Sequence, residues 1–320
     1  MTPTAPISPV LTIAVLTFKR PRDIAEVLPL LLAQAARVGD LASARVLVID
    51  NDPSGSARTI VEAAGGNGHV ALEYAHEPVP GITAARNRAL SESDDSDLLV
   101  FIDDDERPSD AWLTSMLELQ ATTGCAAVAG PVLSEFETEP NAFITAGRFF
   151  ERVGHSTGDV LQVAATNNLL LDLRQIRAFG LRFDAGLGVS GGEDTLFTRQ
   201  IVANGGRMLW SNEARVVDVV PRTRLTRRWV ILRAFSSGNG WSITSLLLAS
   251  GTGGRLATRL KLTARGTVRA AGGLLRIIVG LATNNLGSRA RGVRTLARGA
   301  GMIAGAWGYT YREYRRGGKA

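Results

Sequence analysis

A single cysteine and three histidines in 320 residues remove several kinds of chemistry at the outset. Cys125 alone cannot close an internal disulfide, which fits a reducing compartment. His69, His76 and His155 are too scattered for a histidine-built metal site, and no Ser-His-Asp or Cys-His pairing can be read. Neither a P-loop nor a dinucleotide glycine fingerprint is present, and no internal repeat is found. No uninterrupted apolar run approaches the roughly 18 residues of a membrane span. Residues 1–9, rich in Thr and Pro, lack the basic and apolar stretches of a signal peptide and are expected to be disordered.

Acidic residues are missing from one region in particular. From Arg222 to Ala320 there are 19 Lys or Arg and one acid, Glu313, a balance of +18. The first 221 residues carry the other 17 basic and 29 acidic side chains, a balance of −12. An acidic body with a basic tail describes the chain better than its net charge of +6. Such a tail calls for an anionic partner or a well-solvated face. Nucleic acid is disfavoured as that partner, because no nucleic-acid motif accompanies the charge and the acidic body opposes it.

Apolar residues make up 45% of the chain, enough to bury a core. Strand-like runs at Val10–Leu16, Arg45–Ile49, Val70–Tyr74 and Leu98–Ile102 alternate with helix-like segments. The helices are expected from an Asp23 cap, over Ser56–Ala64, over Ile82–Leu90 and over Trp112–Gln120. The alternation predicts an α/β fold with a mostly parallel sheet flanked by helices, whose ligands gather at the carboxyl ends of the strands. The second half is less regular. Strands are expected over Ala126–Val132, Leu161–Ala165, Asn168–Leu173, Arg207–Trp210 and Ala214–Val220, a helix over Thr195–Ala203, and mostly helix from Arg222. Three segments follow: 1–9, a catalytic body over 10–221 and a basic helical region over 222–320.

Asp103-Asp104-Asp105 follows the buried fourth strand. Three adjacent carboxylates repel, and a divalent cation such as Mg2+ or Mn2+ offsets that repulsion with hard oxygen ligands. The plainer alternative is a solvated acidic turn. Asp50 ends the second strand, where an acid either bonds a nucleotide or folds a turn on itself. Glu193-Asp194 follows the Gly-rich stretch Gly186–Gly192, either as a helix-start charge or as a general base. Arg86 suits diphosphate recognition, while Arg88 reads as a solvated face.

Six ordered segments resemble glycosyltransferase family 2, the inverting family with the GT-A fold. They are Val15-Leu16-Thr17-Phe18-Lys19-Arg20, Val48-Ile49-Asp50-Asn51, Gly81-Ile82-Thr83-Ala84-Ala85-Arg86-Asn87, Phe101-Ile102-Asp103-Asp104-Asp105-Glu106 with Pro108, Thr166-Asn167-Asn168, and Gly192-Glu193-Asp194. The resemblance covers roughly residues 10 to 235. It implies a Rossmann-like GT-A sheet and a nucleotide-diphosphate sugar as donor. Thr17 and Asp50 would hold base and ribose, with Arg86 and Asp104 on the donor. Asp103 and Asp105 would be the metal pair, Asp105 foremost, for Mn2+ or Mg2+. Asp194 would be the base, and Asn168, Gly191, Gly192 and Glu193 would line the acceptor side. The acceptor would be a glycan or a lipid-linked saccharide. One departure stands out: many relatives carry a His after the base helix, where this chain has Val217-Asp218-Val219. A non-catalytic sugar-nucleotide-binding protein of the same fold is the alternative.

The tail resembles, more loosely, extensions of bacterial members that build surface polysaccharides. Projected as helices, residues 255–281 gather Arg255, Arg259, Lys261, Arg265, Arg269 and Arg276 on one arc. Leu256, Leu260, Val268, Leu274, Leu275, Ile278 and Leu281 fall mostly opposite. Leu262 and Ile277 intrude on the basic arc, and Gly266, Gly272 and Gly273 are expected to weaken the helix. Residues 289–314 place Arg291, Arg294 and Arg298 against Val293, Leu296, Ile303, Trp307, Tyr311 and Tyr314. These patterns predict an anionic membrane surface as partner and a peripheral position at the cytoplasmic face. The competing expectation is that the apolar faces pack on the catalytic body or on a second copy, as a homo-oligomer would allow.

Overall fold

The computed structural model describes residues 8–65, 70–188 and 191–311. The start of the chain, His69, Val189, Ser190 and the end from Arg312, with Tyr314, lie outside the described residues. In chain order the elements are β1 (Val10–Thr17), α1 (Pro21–Arg37), β2 (Ser43–Asp50), α2 (Arg58–Ala64), β3 (Ala71–His76), α3 (Ile82–Glu92), β4 (Leu98–Asp103) and β5 (Glu106–Pro108). Then come α4 (Trp112–Thr123), β6 (Ala127–Ala129), β7 (Val132–Phe136), α5 (Ala142–Gly147), β8 (Val160–Leu161), β9 (Asn168–Asp172) and α6 (Leu173–Ala178). The chain continues with α7 (Glu193–Ala203), β10 (Met208–Trp210), β11 (Val216–Val220), α8 (Arg227–Leu247), α9 (Gly251–Ala282) and α10 (Leu286–Ala306).

Eight strands form one sheet in the order β3-β2-β1-β4-β9-β6-β10-β8. The run from β3 to β4 is parallel, as is the β6–β10 pair, while β9 and β8 run antiparallel to their neighbours. Parity along the central strands divides the core into two layers. Leu11, Ile13 and Val15 of β1 with Leu98, Val100 and Ile102 of β4 pack against Ile24, Leu28 and Leu31 of α1 and Trp112 of α4. The alternate residues Ala14, Leu16, Leu99 and Phe101 pack against Ala85 and Ala89 of α3 and Phe197 and Ile201 of α7.

Several local expectations are revised. Asp23 lies inside the first turn of α1; Pro21 opens that helix, and Arg20 is the cap residue without a side-chain cap bond. The run expected over Ala126–Val132 splits into β6 and β7 at Gly130-Pro131. A Cβ on Gly130 would lie 2.7 Å from Asn168 Nδ2 and 2.8 Å from Ala214 Cβ, so the chain passes there only as glycine. The strand expected over Leu161–Ala165 is confined to Val160–Leu161.

The chain divides into two compact units. The first holds the residues up to Leu133, Arg152–Ala185 and Phe197–Asp218; the second holds Ser134–Glu151, Gly186–Leu196 and the chain from Val219. The basic tail therefore shares its unit with two segments from the body. Within the second unit, α10 packs against α5, α8 and α9. Ile144, Val220, Leu225 and Val230 form a small core there, with Phe150 stacked on Trp229 at 5.8 Å. The α9–α10 seam is built from glycines. A Cβ on Gly273 would lie 2.5 Å from Leu296 N and 2.8 Å from Gly292 O, and one on Gly299 2.6 Å from Gly266 O. These glycines join the helices backbone to backbone, which their low helix propensity did not suggest.

Candidate active site

The site in the first unit follows from strand register. Thr17 of β1 pairs with Asp50 of β2, and Leu16 pairs with Asp103 of β4, so three polar strand ends line up at the carboxyl edge of the sheet. Beyond Thr17 the backbone turns through Lys19 at φ 57°, and Pro21 fixes the start of α1. This turn delivers Arg20 onto the acidic run. Arg20 Nη1 donates to Asp104 Oδ1 at 2.9 Å and to Asp105 Oδ2 at 2.8 Å. Thr17 Oγ1 donates to Asp104 Oδ2 at 2.8 Å. On the far side of the turn, Arg107 Nη1 donates to the Asp104 carbonyl at 3.0 Å.

The turn concentrates negative charge. Burial, with Asp105 beside it, pushes Asp103 up to about 7; Arg86 opposes the shift, while Asp104 and Asp218 add to it. Burial likewise pushes Asp104 up to about 6, although Arg20 and the Thr17 hydroxyl favour its charged form. Glu106, 1% exposed, is held well above the ordinary carboxyl range by burial and by the Asp103 charge. For Arg20, burial works against the charged form, and Asp104 and Asp105 more than reverse it, holding the guanidinium above its ordinary range. Arg86 is buried, with its guanidinium 5.5 Å from the centre of the Phe183 ring.

Among the described residues, no three His, Cys, Asp or Glu side chains form a ready-made metal cage. A divalent cation completed by substrate phosphates does not need one. The donor set suits it: Asp103 and Asp105 offer hard oxygens, and a cation there would relieve the repulsion that raises Asp103. Asp105 would then exchange or share its contact with Arg20.

Two expected ligands are turned inward. Asp50 is fully buried; its Oδ1 accepts from Asp52 N at 2.9 Å, and its Oδ2 accepts from Ala57 N at 2.8 Å and Tyr74 Oη at 3.1 Å. It folds the turn after β2, the alternative its position left open. Asn168 is 1% exposed: its Oδ1 accepts from Trp112 Nε1 at 2.8 Å, and its Nδ2 donates to the Ala214 carbonyl at 2.8 Å and the Pro131 carbonyl at 3.2 Å. Its amide ties α4 to the sheet, a scaffolding contact that the sequence did not suggest. The preceding residue faces the acids instead: Asn167 Nδ2 donates to Glu106 Oε1 at 2.5 Å. Arg88 pairs with Glu92 on the solvent side of α3, at 2.6 Å.

The other expected residues belong to the second unit. Gly191 and Gly192 adopt φ of 76° and 89°, a left-handed backbone that favours glycine. A Cβ on Gly192 would lie 3.5 Å from Thr244 Cγ2 and 3.6 Å from Gly240 Cα, both on α8. Glu193 is buried, and Asp194 sits in the first turn of α7, one residue after the helix begins. Asp194 Oδ1 accepts from Thr195 N at 2.6 Å. A carboxylate there is favoured by the helix dipole.

Arg20, Glu106, Asn167 and Asp218 are additions to the residues expected. Asp218 faces Glu106 across the antiparallel β5–β11 ladder and lies 3.8 Å from Arg152. Asn167 was legible in principle, because a residue preceding an inward-facing one at a strand start has the opposite parity. Arg20 required knowing that β1 neighbours β4.

An α/β sheet with an acidic turn at the end of β4 is the GT-A arrangement. Two solved structures share the fold. A mannosyltransferase, PcManGT from Pyrobaculum calidifontis, in complex with GDP-Man and Mn2+, superposes with a TM-score of 0.59 at 16% identity, covering 94% of this chain and 88% of its own. GalNAc-T7 with UDP, GalNAc and Mn2+ superposes with a TM-score of 0.54 at 12% identity over 77% of this chain, which spans about half, 52%, of that one. Residues 12–166 match the family described as glycosyl transferase family 2. The succinoglycan biosynthesis protein ExoM of Rhizobium meliloti (strain 1021) is 38% identical over 226 residues, 71% of this chain and 72% of that protein. The chain belongs to glycosyltransferase family 2.

Proposed function

We propose that this protein is a hexosyltransferase that takes a sugar from a nucleotide-diphosphate donor and passes it, with inversion, to a hydroxyl of a glycan or lipid-linked saccharide during exopolysaccharide assembly. The acid turn at the end of β4 carries this reading, with Asp103 pushed up to about 7 by burial and by its acidic neighbours. Carboxylates that are costly to ionise in isolation suit a ligand that brings positive charge with it. Asp103 and Asp105 would hold Mn2+ or Mg2+, which when bound neutralises charge on the departing diphosphate. Arg20 and Arg86 flank the same turn and would meet the diphosphate oxygens, a task for planar guanidinium groups. Thr17 would lie at the nucleotide side, next to Asp104.

Asp194 would accept the proton of the incoming hydroxyl as the new glycosidic bond forms and the bond to the diphosphate breaks. Attack opposite the leaving group inverts the anomeric centre. The acceptor assignment draws on the name of the Rhizobium relative, a succinoglycan biosynthesis protein. A thermal-shift screen of GDP-, UDP- and other nucleotide sugars, with and without Mn2+, tests the donor. One nucleotide class should raise the melting temperature only with metal. Uniform indifference to every donor would overturn the proposal, and a product of retained configuration by NMR would overturn the inverting scheme.

A further inference from the structure

No helix among the described residues is long and apolar enough to cross a membrane. The 32-residue helix α9 nevertheless exposes far more hydrocarbon than a solvated helix requires. Its inner face is the glycine seam: Leu262, Gly266, Gly273 and Gly280 are its buried residues. Ideal helical spacing puts these four within an arc of roughly 40°. Leu256, Leu260, Val268, Leu274, Leu275, Ile278, Val279 and Leu281 then cover an arc of roughly 160° centred almost opposite. These side chains are exposed, from 47% at Val279 to 73% at Val268. Leu262, which broke the basic arc in sequence, is packed inward and leaves the outer face undisturbed. α10 differs: its buried side is taken up by α5, α8 and α9, and Arg294 Nη1 donates to the Arg148 carbonyl at 2.5 Å.

Charge identifies what suits the outer face of α9. Arg259 lies on one flank between the apolar arc and the seam and Arg265, Arg269 and Arg276 on the other, Lys261 stands at the edge of the apolar arc, Arg255 is exposed near the start of the helix on the seam's side, and α9 contains no acid. A second copy of this face would bring like charges together. Trp307 marks one border: its ring lies under the Arg259 guanidinium at 5.9 Å, its Nε1 donates to Thr263 Oγ1 at 3.1 Å, and it is 57% exposed. An apolar strip edged by long cationic side chains and an amphipathic aromatic matches the depth profile of a bilayer surface, with acyl chains below and phosphates beside.

We propose that α9 lies in the plane of an anionic lipid bilayer, its Leu256–Leu260–Leu274–Ile278 face among the acyl chains and its flanking Arg and Lys on the lipid phosphates. This inference stands independently of the transferase reading. The full chain is sedimented with vesicles of phosphatidylglycerol and phosphatidylethanolamine, and separately with phosphatidylcholine alone. Binding to the anionic vesicles should be at least about tenfold tighter and should weaken as salt rises to about 0.5 M. Leu260→Glu with Ile278→Glu, both on the face turned from α10, should weaken it by about tenfold or more, with helix content and melting temperature kept as the fold control. If that variant does not fold, Arg265→Gln with Arg276→Gln on one flank should give a smaller but measurable loss. Absence of wild-type binding, equal binding to both vesicle types, or wild-type binding by a folded variant overturns the proposal. So does a dimer that ignores vesicles and that the glutamate pair splits into monomers, which would assign the face to a second copy.

Discussion

Arg20 holds two of the three carboxylates at the end of β4, so a cation entering there meets a guanidinium already in place. Asp105→Ala should abolish the metal-dependent part of any donor-induced thermal shift and lower turnover by about a hundredfold or more. Normal metal-dependent stabilisation in that variant would remove Asp105 from the ligand set. Asp194→Asn should keep donor binding and lose about 10²- to 10⁴-fold in kcat, because a base acts on the transition state. Turnover near wild type would exclude it as the base. Asn168→Ala tests the scaffolding role: it strands the Trp112 indole N–H in the core and should cost about 1–3 kcal/mol, read as a lower melting temperature. The folded fraction should still bind donor. An acceptor KM defect with unchanged stability would keep Asn168 on the acceptor side.

At the scale of elements, glycine has opposite meanings one residue apart in α9. Gly272 has no neighbour within 4 Å of an added Cβ, whereas at Gly273 a Cβ would meet backbone atoms of α10 at 2.5–2.9 Å. Gly272→Ala should stabilise the helix by about 0.5–1 kcal/mol through propensity alone. Gly273→Ala gains the same propensity and forces α9 away from α10, so its melting temperature should fall below that of the wild type. Equal shifts in the two variants would mean that the seam is not close-packed. Elsewhere, Pro21 begins α1 and Asp172 caps α6 by accepting from Arg174 N and Gln175 N, so those boundaries follow from local chemistry.

At the scale of the whole molecule, the buried acids tie stability to pH. The folded values of Asp103, about 7, and Asp104, about 6, lie above the ordinary 3.8. A raised carboxyl value means that the folded state holds the proton more tightly. The stabilising contribution is complete below the unfolded value and is lost as pH rises through the folded one. Asp103→Asn removes the charge. Without metal, its melting temperature should match the wild type only near the unfolded value of 3.8 and exceed it increasingly as pH rises, the gap opening above about pH 4 and levelling off above about pH 7. A gap that stays constant over this range would show that Asp103 is not raised.

The sequence by itself determined much of this protein. Short aliphatic and β-branched runs placed β1 to β4, the β–α alternation predicted a parallel sheet, and the acids at the ends of β2 and β4 marked its ligand-bearing edge. Hydrophobic runs and strand-end composition are local, so they can be read without knowing neighbours. The tertiary structure decided which of two equally polar residues faces inward. Asp50 is spent on Tyr74 and the backbone of its own turn, and Asn168 on Trp112 and backbone carbonyls far along the chain, while Arg20 reaches the acids only because β1 lies beside β4. It also turned the glycines of α9 from weak points into a seam, since helix propensity is a property of one chain and close approach is a property of two helices. That seam fixes the side of α9 that α10 covers, and the leucines left on the opposite side follow from it.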